Sequence, residues 1–305
     1  MDFRSYARFV PATYTAALTP PASTWWPWRG RTVHIARTEA PAADVRVMVI
    51  HGGGGYSGAL WPAAAVAAGE GVDVLAPDLP LYGDTVDPRP SRVRYDDWVD
   101  LLCDLVNVER AEDPRPLVLL GASMGGMLAY EVAARTGQVA AVVATCLLDM
   151  ADPDARAAAT RFAWMGRPAP AILGAVEPVL GRVRVPIRWL ADMSNMSTDP
   201  DLSQLCASDP RGGGASVPLG FLASWMTYRH TAPEGYGGAP VTLVAPAADR
   251  WTPPELSIDF LQRISGPTEL VMLDNCGHYP IEEPGLTQLR DAMQRVLNRV
   301  RAVRP

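Results

Sequence analysis

Ser123, Asp249 and His278 carry the side chains of a nucleophile, an orienting acid and a general base, in that order along a chain of 305 residues. Ser123 sits in Gly121-Ala-Ser-Met-Gly125, between the apolar run Leu117–Leu120 and a helix-forming stretch, Met127–Arg135. Strand, sharp turn and helix lift a serine hydroxyl above the end of a sheet, and the glycines remove side chains that would collide in so tight a turn. The hydroxyl is a weak nucleophile at neutral pH, so it needs a base, and the base needs an acid to orient it. His278, in Asn275-Cys-Gly-His-Tyr-Pro280, follows a strand candidate and precedes the last helix candidate. Asp249 follows another strand candidate, and it also reads as a helix cap before Trp251-Thr-Pro-Pro254. Asp149, with Asp152 behind it, is a second candidate acid. The run His51-Gly-Gly-Gly-Gly55 offers backbone N–H groups without side-chain obstruction. An oxyanion needs two donors: the N–H of Met124 is one, and that of Gly53 or Gly54 the other. His51 itself is expected to be structural. The competing reading, a phosphate-binding loop, needs G-x-G-x-x-G and an acid about twenty residues on, a role left to Asp73 or Asp78.

The elements that would position these groups follow from the hydrophobic pattern. Strands are expected at Arg31–Arg37, Asp44–Ile50, Val72–Ala76, Leu117–Leu120, Val139–Leu148, Val241–Ala245 and Glu269–Leu273. Helices are expected at Trp61–Gly69, Tyr95–Arg110, Met127–Arg135 and Gly285–Arg299. Short apolar strands alternating with helices predict an α/β fold, a mostly parallel sheet flanked by helices. Residues 1–30, rich in Pro and Trp, read as an irregular arm packing its tryptophans on the domain. Residues 31–148 and 239–305 read as the core. Between them, 149–238 read as a helical insertion, with helices at 152–165, 168–180, 186–193 and 217–228 and a flexible joint at Gly212-Gly-Gly214.

Composition excludes several chemistries. All 27 basic residues are Arg, so there is no lysine for a Schiff base, a P-loop or a Ser-Lys dyad. A net charge of -6 without a basic block argues against a nucleic-acid partner. His34, His51, His230 and His278 show no H-x-H or H-x-x-x-H spacing, so no metal site is expected. Cys103, Cys146, Cys206 and Cys276 form no C-x-x-C and read as reduced thiols of a cytoplasmic protein. No apolar run reaches the roughly 18 residues of a transmembrane segment, and the N-terminus, with Asp2 and interrupting threonines, does not read as a secretory signal.

Taken together, the serine turn, the glycine run and the Ser-Asp-His order resemble the α/β-hydrolase family over roughly residues 31–300. That resemblance implies an α/β-hydrolase fold with 149–238 as a cap over the active site. Met193-Ser-Asn-Met-Ser-Thr-Asp-Pro-Asp-Leu202 and Ala207-Ser-Asp-Pro210 are similar to the cap of monoacylglycerol lipases and lysophospholipases, whereas Asp78–Thr85 departs from the more basic turn of those enzymes. The implied activity is hydrolysis of a small-molecule carboxylic ester, without a cofactor. Among the insertion's apolar residues, Trp164, Met193, Met196, Trp225 and Met226 are expected to line an adaptable acyl pocket. An acyltransferase or carbon–carbon bond hydrolase would use the same triad, and a non-catalytic binding protein could share the scaffold. The sequence leaves the oligomeric state open.

Overall fold

The computed structural model describes residues 3–15, 18–38, 40–69 and 71–303. Eight strands form one sheet in the order β1 (Ala22–Trp28), β2 (Arg31–Arg37), β4 (Asp73–Pro77), β3 (Arg46–Ile50), β5 (Leu117–Gly121), β6 (Ala141–Ala144), β9 (Val241–Pro246) and β10 (Thr268–Leu273). The pairs β1–β2 and β2–β4 are antiparallel, and the others are parallel. Every residue of β3, β5, β6 and β9 is buried, as the continuous apolar runs of a sheet covered on both faces require.

Parallel neighbours need crossovers, and helices supply them. Helices α3 (Ser57–Ala68) and α12 (Gly285–Ala302) pack together on one face. Helices α4 (Tyr95–Glu112), α5 (Met124–Thr136) and α11 (Pro254–Gln262) cover the other, where Tyr130 of α5 meets Phe260 of α11 edge to face at 5.2 Å. Arg46, at the start of β3, donates to Glu109 of α4 at 2.8 Å, and both are almost fully buried. Arg37 of β2 pairs with the same carboxylate. Glu109→Ala would leave the buried Arg46 guanidinium with only the more distant Asp113 carboxylate, 3.5 Å from its Nε, as counter-charge. A loss of about 3–5 kcal/mol is expected in denaturant unfolding.

Residues 22–28 correct the expectation of an irregular arm. They form β1, an edge strand whose burial alternates with period two. Arg29 and Gly30 have φ of +44° and +78°, the two left-handed residues that close a tight hairpin. The edge position tolerates Pro27, because its missing N–H faces no neighbour. Trp28 is buried and donates to Asp104 at 2.9 Å, while Trp25 remains half exposed. Phe3–Ala7 and Ala12–Thr15 form two short helices, α1 and α2.

The segment between β6 and β9 also differs in detail from the expected helices. It holds α6 (Pro153–Ala159), α7 (Ala163–Gly166), α8 (Ala169–Leu180), α9 (Pro200–Ser208) and α10 (Leu219–Thr227). It also holds a two-stranded ribbon, β7 (Arg184–Pro186) with β8 (Ser216–Pro218), where helix was expected at 186 and 217. Prolines at 186 and 218 break the helical pattern on each side. The chain leaves the sheet after Ala144 rather than Leu148, because the Thr145 hydroxyl is drawn to the N–H of Ser123 at 2.9 Å. Gly212-Gly-Gly214 is no loose joint. A Cβ on Gly212 would stand 2.6 Å from the Gly54 carbonyl, and one on Gly213 would stand 2.5 Å from that of Cys206. These glycines let the insertion press against the His51–Gly55 loop. Among the described residues no helix is long and apolar enough to cross a membrane.

Candidate active site

Ser123 joins β5 to α5 with φ 55° and ψ −127°, a conformation that costs a non-glycine residue about 1–3 kcal/mol. Its surroundings impose that turn. A Cβ on Gly121 would lie 2.2 Å from the Gly125 carbonyl oxygen, and one on Gly125 would lie 2.1 Å from that of Ile50. Gly125→Ala therefore sets backbone against backbone. It is expected to cost at least about 3 kcal/mol, visible as a lowered melting temperature.

The loops after β9 and β10 are tied to each other. The Ala247 N–H donates to the Leu273 carbonyl and the Ala248 N–H to that of Cys276, each at 2.9 Å. This brings Asp249 and His278 together. His278 Nε2 lies 2.7 Å from Ser123 Oγ, and His278 Nδ1 lies 2.7 Å from Asp249 Oδ2. Asp249 Oδ1 accepts from the N–H groups of Trp251 and Thr252 at 2.8 and 3.0 Å. Asp249 thus holds the turn with one oxygen and the histidine with the other; it does not cap α11, whose N-cap is Pro253. Burial alone would raise its pKa, but His278 and the Thr252 N–H and hydroxyl outweigh that and hold it below the ordinary carboxylate value. Thr252, a site residue that the sequence pattern does not single out, donates its hydroxyl to Asp249 Oδ2 at 2.8 Å; its place three residues after an acid is the one signal of it. Trp251 covers the imidazole, with ring centroids 4.7 Å apart.

The second candidate acid, Asp149, is not brought to His278. It faces His230 instead, its Oδ1 3.5 Å from that Nδ1. His51 is buried; its Nε2 accepts from the Leu79 N–H at 2.9 Å, and its Nδ1 bonds the Gly52 carbonyl at 2.8 Å. Asp78 is also spent on structure, accepting from the N–H groups of Ser57 and Asp84 and pairing with His34. Ligand atoms of His34, Asp78 and Asp84 lie within 4.8 Å of one another, but His34 Nε2 bonds Ser23 and Asp84 pairs with Arg211.

The glycine loop lies on the serine turn, since a Cβ on Gly52 would stand 3.0 Å from the Met124 nitrogen. Gly54 has φ +79°, and a Cβ there would stand 3.3 Å from the Gly213 Cα. Gly53 borders both cavities that meet at Ser123. The larger, about 410 Å³, is walled by Trp164, Trp225 and Met226 of the insertion. The smaller, about 80 Å³, is bordered by Met196. Met193 corrects the expected pocket lining: it is 3% exposed, outside both cavities, with its methyl group filling the space beside Gly54 and Gly213. A side chain that props the glycine loop cannot also face a ligand.

Residues 47–287 match the alpha/beta hydrolase family. The chain belongs to that family. No curated protein sequence matches it. Among solved structures, the α/β-hydrolase is similar to a monoacylglycerol lipase of Paleococcus ferrophilus, at 20% identity and a TM-score of 0.68 over 87% of this chain and 98% of that one. It is also similar to a soluble variant of the monoglyceride lipase of Saccharomyces cerevisiae, solved with a substrate analog, at 16% identity and a TM-score of 0.70 over 95% and 99%. A thermophilic esterase of Thermogutta terrifontis matches at 17% identity and a TM-score of 0.64 over 92% and 99%. At these identities the likeness is one of fold.

Proposed function

We propose that this α/β-hydrolase is a serine hydrolase of small-molecule carboxylic esters, working through an acyl-enzyme. The reading is carried by the hydrogen-bond chain Ser123–His278–Asp249 at the mouth of an apolar cavity. Ser123 Oγ forms a bond to the acyl carbon while His278 Nε2 takes its proton. The carbonyl oxygen becomes an oxyanion held by the N–H groups of Met124 and Gly53. Gly53 is preferred over Gly54 because, of the two, it alone borders both cavities that meet at Ser123. The bond to the leaving oxygen then breaks, and the imidazolium returns its proton to that oxygen. Water, deprotonated by His278, releases the acid and restores the serine. Residues 149–238 serve as a cap over a core of 31–148 and 239–305, and the large cavity beneath the cap holds the acyl chain. Trp164, 76% exposed, stands at its rim.

Two measurements test this. A fluorophosphonate probe should label Ser123, and p-nitrophenyl esters of medium acyl chains should be turned over. Absence of labelling together with absence of p-nitrophenol release at every chain length would overturn the proposal.

A further inference from the structure

The two cavities at Ser123 differ in their walls as well as in size. Ser123 and Gly53 border both, whereas His278 borders only the small one. The small cavity runs back between the sheet and α3, against Val49 of β3 and Leu120 of β5. On α3 it meets Ala59, Ala63 and Ala64, so short side chains leave the space that larger ones would fill. Tyr6 of α1, from the N-terminal segment, supplies a further wall. That ring is firmly held. Tyr6 is 1% exposed, its hydroxyl donates to Asp209 Oδ2 at 2.9 Å, and it meets Tyr56 edge-on at 6.3 Å. Tyr56 donates to the same carboxylate oxygen at 2.7 Å, and Asp209 is fully buried.

We propose that the small cavity receives the leaving alcohol of the ester, that this alcohol is a short hydrocarbon, and that Tyr6 is the end wall limiting its length. The proposal rests on the ester-hydrolase reading above. Proton transfer assigns the arm: the imidazole must protonate the departing oxygen, so that oxygen and its substituent lie on the side His278 borders. The volume assigns the length. An apolar cavity of about 150 Å³ holds benzene, so one of 80 Å³ holds a group about half that size, roughly two to four carbons. The walls assign the chemistry, because hydroxyl groups of a polyol would lose their water among alanine, valine and leucine without gaining partners.

The test uses methyl, butyl and octyl decanoates with the full chain, reading decanoate release. For the unmodified protein, kcat/KM should fall at least about tenfold from butyl to octyl. Tyr6→Ala should shrink that butyl-to-octyl ratio to less than about threefold, whereas Tyr6→Phe, which keeps the ring, should retain it. Ala64→Phe, filling the cavity from α3, should lower the butyl-to-methyl ratio about tenfold. If Tyr6→Ala melts cooperatively yet keeps the original ratio, Tyr6 is only structural and the proposal falls. It also falls if Ala64→Phe leaves every ratio unchanged, a result that does not depend on Tyr6→Ala folding. Failure of the ester-hydrolase reading looks different: no decanoate from any ester and no fluorophosphonate label on Ser123, which removes both.

Discussion

Ser123→Ala is expected to lower kcat for ester hydrolysis by about 10⁵-fold or more while leaving the melting temperature within a few degrees. The size of the effect follows from the roles. Without Oγ no acyl-enzyme forms, and the histidine and acid have nothing to activate, so losing the nucleophile costs nearly as much as losing all three groups. The fold should hold because alanine accepts the same backbone path as serine, and the turn is imposed by Gly121 and Gly125 rather than by the hydroxyl. Residual activity would come from the Met124 and Gly53 donors and from substrate binding. Single-turnover kinetics and a thermal melt check both halves. A rate within tenfold of the original would remove Ser123 from the mechanism.

Asp249→Asn is expected to lower kcat by roughly 10⁴-fold, with little change in KM. The asparagine amide can present an N–H where His278 Nδ1 now meets a carboxylate, favouring the wrong tautomer and leaving the transient imidazolium unbalanced. The Thr252 hydroxyl, 3.2 Å from Nδ1, is a neutral neighbour and does not replace the charge. The same substitution has a signature in stability. The folded-state pKa of Asp249 is depressed, so its favourable contribution is present above the ordinary carboxylate value of about 3.9 and is lost as pH falls through the depressed folded value. The unmodified protein should therefore lose stability below about pH 4 more steeply than Asp249→Asn. Parallel acid-unfolding curves would contradict the depressed carboxylate. Asp149→Asn should leave kcat within about threefold, since Asp149 faces His230.

The parts of the site that follow local rules were legible in the chain. Gly121 and Gly125 flank Ser123 because only glycine survives the approach of Ile50 and Gly125 carbonyls, and that steric demand is written in the residue types themselves. The central strands were legible because a sheet covered on both faces makes continuous apolar runs, as in β3, β5 and β9. Elements whose stability comes from neighbours were not. The edge strand β1 contains a proline and forms by pairing with β2 across the Arg29-Gly30 turn. The prolines and glycines of the insertion gave weak local preferences, so packing decided between helix and ribbon at 184–186 and 216–218.

Residue types and order alone determined that this chain could hold a serine nucleophile on a strand–turn–helix, with a histidine and two possible acids beyond it. Tertiary structure decided which acid meets the histidine, because Asp149 and Asp249 both follow strands and only the backbone bonds joining the β9 and β10 loops select between them. And it brought Tyr6 to the wall of a cavity that Ser123 also borders, and made Met193 a prop rather than a pocket wall. Contacts between residues so far apart in the chain carry no local pattern; they exist only once the sheet has brought its strand ends to one edge.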